Sequence, residues 1–244
     1  MKWLYGIDSL EEFNPMMAID SVILANTNVK VDAFNAKVQQ LNRGEEKILL
    51  SDDCLADVTD NHKILKSMLS EEQLNKKNNP SVPPHKLKLR IGDICILTRN
   101  ICIKSGLVNN GRVRIKKFLP SKTILIETLG PNKVEFILPR IKFKFSYSYG
   151  MNFSILRQQF PLRLCYAFTV HKVQGQTMNK ILFDVTTPVF CHGALYVAMS
   201  RVRKYSNIAF IVVDEDSKFD LERQQSFITT KNIVYKSVIR NAFI

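Results

Sequence analysis

The pattern of apolar and polar positions divides the chain into three parts. Residues 1–84 have the mixed pattern of an α/β segment, and the apolar run at residues 21–25 predicts a buried strand. Asn28 then predicts the cap of a helix that Gly44 ends. The apolar positions of that helix are Val31, Phe34, Ala36, Val38 and Leu41. The polar, proline-rich residues 70–84 predict a surface connection.

Between residues 85 and 149 the pattern changes to that of strands. Apolar residues alternate or run together, and Gly, Asn and Pro separate the runs. The segments read LKLRI, DICILT, GRVRIKKFL, KTILIETL and KVEFILPRIKF. This spacing predicts a small twisted sheet or barrel.

Residues 158–244 return to a mixed α/β pattern. Residues 162–168 form a strand-like run, and residues 172–178 predict a loop or the start of a helix. Helical spacing appears at residues 193–203, and residues 208–213 predict a core strand. We find no internal repeat and no low-complexity tract. The mixed pattern of helices and strands at both ends of the chain predicts the α/β fold class.

The composition is that of a globular chain: 45% of the 244 residues are hydrophobic and 23% are charged. Its longest apolar runs are a few residues, whereas a bilayer span needs about 20, so an integral membrane protein is excluded. The amino terminus MKWLYGID is too short an apolar stretch for a signal peptide, which leaves an intracellular location as the default expectation.

Charge is concentrated in the strand-rich part of the chain. The formal net charge is +13, and residues 86–144 hold 14 Lys and Arg against 3 Asp and Glu, an excess of 11. Such an excess favours a polyanionic partner, nucleic acid first. A solvated basic surface is the alternative.

The five cysteines do not form a metal or disulfide pattern. They are odd in number, widely spaced and without a CxxC pair, and the four histidines do not cluster with them. Buried free thiols are therefore the expected state of the cysteines. The residues are Cys54, Cys95, Cys102, Cys165 and Cys191.

The sequence contains no phosphate-binding loop of the form GxxxxGK[ST], because no glycine is followed by lysine. Asp214 and Glu215 follow the predicted core strand and have the form of a magnesium-holding pair. Without a phosphate loop such a pair has no nucleotide to serve, so we interpret it as a solvated strand end. We predict no metal ligands in this chain.

Two segments combine chemistry-bearing residues. TVHKVQGQT at residues 169–177 places a hydroxyl, an imidazole, a cation, two amides and a glycine directly after an apolar strand, where α/β proteins hold ligands. A polar loop with a capped helix explains it equally well. Arg201 lies on an otherwise apolar helix, either with its charge at the rim or as an arginine finger for a transferring phosphate.

These segments resemble the last two motifs of PIF-type DNA helicases, which belong to the RecD-like, 5′-to-3′ branch of helicase superfamily one. The variant carried by Helitron transposons and some large DNA viruses is most similar. The matching segments are FPLRLCYAFTVHKVQGQT (160–177) and PVFCHGALYVAMSRVR (188–203). ILANTNVKVDAFN (23–35) is similar to the family's fourth motif, and PPHKLKLRIG (83–92), LTRN (97–100), GLVNNG (106–111) and TKNIVYK (230–236) are similar to its connecting and terminal segments.

The resemblance implies a fold and a division into parts. It implies the second of two RecA-like motor domains, without its own phosphate loop, interrupted by a small Src-homology-type β-barrel over single-stranded DNA. The implied parts are residues 1–99, the barrel at 100–157, and residues 158–244 with the last two motifs. Trp3 and Phe13 are expected to be exposed where the first motor domain would pack.

The resemblance also implies roles for individual residues. Arg201 corresponds to the arginine finger, and Gln174 and Gly175 to the positions that couple nucleotide to DNA. The remaining positions are expected to contact DNA: Thr27, Asn28, Thr169, His171 and Lys172 in the motor domain, and Arg112, Arg114, Lys116 and Lys117 in the barrel. Many relatives have Asn where this chain has His171.

The family's phosphate loop and magnesium-holding pair belong to an amino-terminal half with no counterpart here. We therefore expect the chain alone to be inactive as an ATPase and a helicase, with ATP and Mg²⁺ bound in the full-length enzyme. Its expected partners are single-stranded DNA and the first RecA-like domain, at a nuclear or viral-replication site. The alternatives are a stand-alone single-stranded nucleic-acid-binding module and a structural protein, and the local excess of positive charge disfavours the latter.

Overall fold

The computed structural model describes residues 1–56, 70–77, 79–120, 122–129, 133–149, 151–187, 193–212, 217–220 and 225–228. These residues form two compact units. The first unit is Met1–Leu41 together with Cys165–Ile244, and the second is Asn42–Leu164. Within the described ranges, no helix is both long and apolar enough to cross a membrane. Asp214, Glu215 and the terminal segment 230–236 lie outside the described residues.

The first unit contains a four-stranded sheet in the order β12-β1-β13-β14. Every pairing in it is parallel. Its strands are β1 (Ser21–Ala25), β12 (Ala167–Thr169), β13 (Lys180–Asp184) and β14 (Ile208–Ile211). β1 is completely buried, as its unbroken apolar run predicts for a central parallel strand. The predicted mixed α/β pattern is thus a parallel sheet with crossover connections.

Helix α2 (Asn28–Gln39) follows β1, but its ends differ from the prediction. The cap is Thr27, whose hydroxyl accepts from the amide of Lys30, and not Asn28. The helix ends at Gln39, before Gly44, and Gly44 is needed for a different structural reason. A Cβ at Gly44 would come within 2.0 Å of the carbonyl oxygen of Ile91, so this position requires glycine for close backbone approach.

The buried face of α2 is partly polar, which the apolar spacing did not predict. Its buried residues are Asn35, Val38 and Gln39, whereas Ala36 is exposed. The Asn35 side-chain oxygen accepts from the amides of Tyr166 and Ala167, at 2.9 Å each. Asn35 therefore fixes the start of β12 by satisfying two backbone donors in the core.

The amino-terminal residues contribute to the first unit through the short helix α1 (Lys2–Tyr5) and two 3₁₀ turns. Trp3 is 41% exposed, as expected, with the Lys180 ammonium over its ring. The expectation for Phe13 is wrong, because it is only 8% exposed. Its ring packs edge-on against Tyr5 and Tyr166, which gives it a core position within its own unit.

The second unit is built almost entirely of strands. A five-stranded antiparallel sheet has the order β11-β5-β6-β7-β8, and β2 pairs with β4 as a separate ribbon. The strands are β2 (Glu46–Leu50), β4 (Lys86–Arg90), β5 (Ile94–Leu97), β6 (Arg112–Leu119), β7 (Thr123–Thr128), β8 (Glu135–Leu138) and β11 (Leu162–Leu164). Leucine, isoleucine and valine side chains from both sheets share one core. The predicted strand positions are confirmed, while the barrel stays a prediction.

A second, smaller core lies under a three-stranded sheet in the order β3-β10-β9. Its strands are β3 (Asp52–Ala56), β9 (Ile141–Tyr149) and β10 (Met151–Gln159), and the short helix α3 (Glu71–Asn75) contributes Leu74 to this core. Cys54, on β3, is exposed, contrary to the expectation of a buried thiol. Cys95 and Cys165 are buried as expected, Cys102 is only half-buried, and Cys191 lies outside the described residues.

Buried Arg157 on β10 is the largest fully buried side chain of the described residues. Its guanidinium pairs with Asp53 at 2.7 Å and donates to the carbonyl oxygens of Lys77 and Pro83. Both partners of this ion pair have fully buried side chains. Arg157 therefore fastens the segment after α3 to the sheet, a role that the strand pattern did not predict.

The second unit is larger than the insertion predicted at residues 100–157. Strands β2, β3 and β4 belong to it, although they precede residue 100. Leu49 of β2 and Leu87 and Leu89 of β4 lie in its larger core, and β3 pairs with β10. The strand-like run at residues 162–168 is two strands, β11 in the second unit and β12 in the first. The crossing between the units therefore falls after Leu164.

Candidate nucleotide and nucleic-acid site

The segment after β12 exposes two polar residues between two buried valines. Thr169 ends β12, and a 3₁₀ turn over Val170–Val173 follows it. Val170 and Val173 are buried, whereas His171 and Lys172 are exposed. The two valines thus anchor the turn, and the imidazole and the ammonium are left at the surface.

Gln174 and Gly175 follow this turn, and both are exposed. Gly175 has φ +80°, in the left-handed region where residues with a side chain are strained. A Cβ built at Gly175 meets no atom within 4 Å, so glycine is required here for backbone conformation and not for space. Gly175 lies in the turn that the hydrogen bond from the amide of Gln176 to the carbonyl oxygen of Val173 closes.

Arg201 lies just beyond the short helix α4 (Ala194–Met199). Its Nε donates to the carbonyl oxygen of Val197 over 3.0 Å, and Nη2 donates to the Ser200 hydroxyl over 2.8 Å. The side chain is half-buried. Within the described ranges no carboxylate pairs with Arg201, so its positive charge is not neutralised by this part of the protein.

Backbone contacts join the two segments directly. The amide of Met178 donates to the carbonyl oxygen of Arg201 over 2.9 Å, and Met178 and Val202 form a parallel bridge. Arg201 is therefore tied to the chain three residues after Gly175. The structure brings together two segments that the sequence pattern had left as separate candidates.

The carboxyl end of β1 contributes Thr27 and Asn28 to the same unit. Ala25 pairs with Thr169, so β1 and β12 end at the same edge of the parallel sheet. Asn28 is exposed, and the Thr27 hydroxyl is used as the helix cap. This edge is where open α/β sheets bind ligands.

A buried charged cluster at this edge was missed by sequence reasoning. The Lys30 ammonium lies 2.9 Å from Asp184 and also contacts the Thr186 hydroxyl. Asp184 accepts from the amide and hydroxyl of Thr186, and the side chain of Asn26 donates to the carbonyl oxygen of Thr187. Together they hold the chain that leaves β13.

The pKa of Asp184 reflects two opposing effects. Burial raises the pKa, but hydrogen bonds from Thr186 and Lys30, with the positive charge of Lys30, bring it below its usual value. Asp184 is therefore ionised at neutral pH. In the sequence, the signal for this cluster is the group of polar residues Asp184, Thr186 and Thr187 at the end of an apolar strand. Lys30, the partner of Asp184, is far away in the chain.

The four predicted cations of β6 lie in the second unit. Val113 and Ile115 are buried, which turns Arg112, Arg114 and Lys116 to the opposite face. A bulge between Ile115 and Lys117 then shifts the register, so Lys117 is exposed and Phe118 packs on the core. The bulge keeps both lysines of the KK pair out of the core.

Carboxylates accompany these cations on the same sheet. The Lys116 ammonium lies 3.6 Å from Glu127 and 3.8 Å from Glu135. Arg114 is opposite Glu127 in the strand register. Two of the three acidic residues of this basic region therefore lie beside its predicted DNA-contacting strand.

The described residues do not form a magnesium site. No group of three or more His, Cys, Asp and Glu side chains that could hold a metal ion occurs among them. The sequence also lacks a phosphate loop. Arg201, which has no carboxylate partner among the described residues, has the charge and geometry that suit a phosphate group.

Comparisons with known proteins point to one helicase family. Residues 72–118, which run from α3 to β6, match the family model described as DNA helicase Pif1, 2B domain. ATP-dependent DNA helicase PIF1 of Danio rerio is 31% identical over 153 residues, covering 60% of this chain and 22% of that protein. The human PIF1 protein is 29% identical over 128 residues, covering 52% of this chain and 20% of that protein.

Solved Pif1 structures have the same fold. The Pif1 helicase of Candida albicans aligns with a TM-score of 0.62 at 19% identity, covering 93% of this chain and 50% of that one. Bacteroides Pif1 bound to single-stranded DNA aligns with a TM-score of 0.60 at 19% identity, covering 91% and 44%. The resemblance to PIF-type helicases and the RecA-like α/β fold are confirmed. This chain spans about half the length of those solved chains, and its alignments span about a fifth of the curated relatives.

Proposed function

We propose that this chain is the carboxyl-terminal motor half of an ATP-dependent, 5′-to-3′ DNA helicase. The observation that carries the proposal is the backbone hydrogen bond from Met178 to Arg201. It links the segment that we propose to contact DNA to the arginine that we propose to contact phosphate, within one unit. A motor needs such a link, because nucleotide state and DNA contact have to change together.

Arg201 is proposed as the arginine finger. A guanidinium without a carboxylate partner stabilises the charge that develops on a transferring γ-phosphate. Its Nε and one terminal nitrogen are held by Val197 and Ser200, which orients the planar group. Gln174 and Gly175 are proposed to respond to the nucleotide and to pass its state to the preceding turn.

The DNA contacts are proposed to come from both units. In the first unit they are Thr169, His171 and Lys172 on the turn after β12, with Thr27 and Asn28 at the end of β1. Lys172 and His171 are exposed donors suited to phosphate oxygens. In the second unit they are the β6 cations Arg112, Arg114, Lys116 and Lys117.

The chain by itself is proposed to be inactive in ATP hydrolysis and unwinding. An arginine finger acts only on a phosphate already cradled by a loop and a magnesium ion, and this sequence supplies neither a GxxxxGK[ST] loop nor a described metal site. ATP and Mg²⁺ are proposed to bind chiefly to a first RecA-like domain, at an intracellular site of DNA replication in a nucleus or a viral factory.

A stand-alone module that binds single-stranded nucleic acid is the second candidate. The excess of 11 positive charges at residues 86–144 favours it, because electrostatic attraction to phosphates is sufficient for non-specific binding of a nucleic acid. It does not require an uncompensated Arg201 tied to a glycine turn. An in-frame GxxxxGK[ST] loop in the genomic sequence upstream of Met1 would favour the motor, and a stop codon there would favour the module.

Binding of labelled oligo-dT, followed by fluorescence anisotropy over a salt series, tests the DNA part of both candidates. Each phosphate neutralised by the protein contributes about −0.7 to the slope of log K against log salt for a single strand. We expect a slope several times −0.7, because several phosphates are neutralised at once. A chain that shows no oligo-dT binding, or binding without salt dependence, would remove nucleic acid as the partner.

A further inference from the structure

The β2–β4 ribbon presents two parallel rows of outward side chains. On β2, Ile48 is 58% exposed and Leu50 is 48% exposed, while Leu49 between them is in the core. On β4 the neighbours are cations, because Ile48 pairs with Lys88 and Leu50 pairs with Lys86. One strand therefore carries an apolar row and the next carries a positive row, about 5 Å apart.

The cations of the positive row differ in their carboxylate neighbours. Lys86 has no ion-pair partner in the part of the chain that the structure describes. Lys88 shares Glu46 with Arg90, at 3.0 Å and 2.7 Å. Hydrogen bonds from Arg90 and Lys88 lower the pKa of Glu46, so this one carboxylate is ionised and already engaged at the far end of the row.

On the β6 face, two carboxylates surround one of the predicted DNA-contacting cations. Lys116 is within 4 Å of both Glu127 and Glu135, and these carboxylates would repel an approaching phosphate. On the ribbon, the cross-strand neighbours of Lys86 and Lys88 are the aliphatic Leu50 and Ile48, and Glu46 contacts Lys88 but forms no ion pair with Lys86. The ribbon therefore offers a phosphate chain the ammonium of Lys86 and an apolar surface directly beside it.

We propose that the β2–β4 ribbon binds single-stranded nucleic acid, with phosphates along Lys86 and Lys88 and bases or sugars against Ile48 and Leu50. A single strand has this same division, an anionic backbone on one side and apolar base faces on the other. Alternate residues of β4 are about 7 Å apart, so the two ammonium groups can contact successive phosphates. The inference rests on the proposed function, which supplies the strand.

The test compares two double variants by oligo-dT anisotropy over a salt series. The Lys86→Ala/Lys88→Ala variant is expected to bind more weakly and to reduce the salt slope by about 0.7 to 1.4. The Ile48→Ser/Leu50→Ser variant is expected to lower affinity several-fold at an unchanged slope, since it removes no charge. The matched control is Lys104→Ala/Lys133→Ala, which removes two exposed lysines elsewhere in the same unit.

Circular dichroism and thermal melting of each variant confirm folding. If Lys86→Ala/Lys88→Ala does not fold, Lys86→Gln/Lys88→Gln replaces it. If wild type binds oligo-dT and the ribbon variants match the control, the ribbon proposal is wrong and the proposed function stands. If wild type does not bind, the proposed function itself fails. The same ribbon variants are also measured against a peptide of alternating Glu and Val residues. If they lose affinity for this peptide while their oligo-dT binding is unchanged, the ribbon is a peptide-binding surface and the proposal is wrong.

Discussion

The amide of Met178 donates a hydrogen bond to the carbonyl oxygen of Arg201 over 2.9 Å, and this bond joins two segments that carry different chemistry. Gly175, three residues before Met178, has φ +80° and lies in the turn closed by the hydrogen bond from the amide of Gln176 to the carbonyl oxygen of Val173. The side chain of Arg201 plays no part in this link. Position and chemistry of the arginine are therefore separable by mutation.

Arg201→Ala should leave the fold almost unchanged. Among the described residues, the side chain donates to Val197 and Ser200 at the end of the preceding helix, α4, so we expect a loss of at most about 1 kcal/mol in the free energy of unfolding. In a motor assembled with a phosphate-loop half, the same variant and Arg201→Lys should both lose ATP turnover by about a thousandfold or more. Thermal melting and a coupled ATPase assay measure the two effects. A variant that melts much earlier than wild type would make Arg201 a structural residue.

Substitution of Gly175 should show a cost that is purely conformational. Because the site is open but φ is +80°, Gly175→Ala is expected to lose about 1–2 kcal/mol, and Gly175→Asn less, since asparagine tolerates the left-handed region. Gly106→Ala is the matched control, with φ +72° and equally open space. Urea unfolding of the three variants checks this. An alanine at Gly175 that costs nothing would show that the turn adapts.

The ion pair between Arg157 and Asp53 should be the most sensitive polar contact of the second unit. Asp53→Ala leaves a buried guanidinium without its counterion, for which we expect a loss of about 3–5 kcal/mol. Asp52, the residue next to Asp53, pairs with Arg140 through a carboxylate that is 65% exposed, so Asp52→Ala should cost about 1 kcal/mol or less. Equal effects of the two variants in urea unfolding would contradict the burial of the first pair.

The sequence pattern was sufficient to predict the strands, but not the buried polar side chains that connect them to other segments. Alternation marks which residues of a strand face the core, and β1, β5, β6 and β7 lie where the pattern predicts them. Arg157 and Asn35 were missed because polar residues are assigned to the surface by default. Arg157 has its main partner 104 residues away, at Asp53, so no local pattern contains the pair.

The candidate site shows the same division. Residues 169–177 and Arg201 stood out through residue type, but the pattern left each with a structural alternative. Their junction at Met178 depends on a chain reversal that spacing does not encode. At β6, strict alternation would have buried Lys117, and only the bulge explains why both it and Lys116 face outward.

The Lys30–Asp184 contact should make stability depend on pH in the acid range. Asp184 has a folded pKa below its usual value, so its contribution is present above the unfolded pKa of about 3.9 and is lost as pH falls through the folded pKa. Asp184→Asn should therefore cost about 1–2 kcal/mol at pH 7, and the difference from wild type should shrink as the pH falls below about 4. Asp32→Asn, an exposed carboxylate on α2, is the control. A difference that stays constant with pH would contradict the assignment.

ATP turnover by the purified chain, measured with and without oligo-dT, tests the central claim most directly. The claim is that this chain supplies the arginine finger but not the site on which the finger acts. The expected result is turnover at background level under both conditions, with no difference between wild type and Arg201→Ala. DNA-stimulated turnover that disappears in Arg201→Ala would contradict the claim, because a complete ATP site would then reside in this chain.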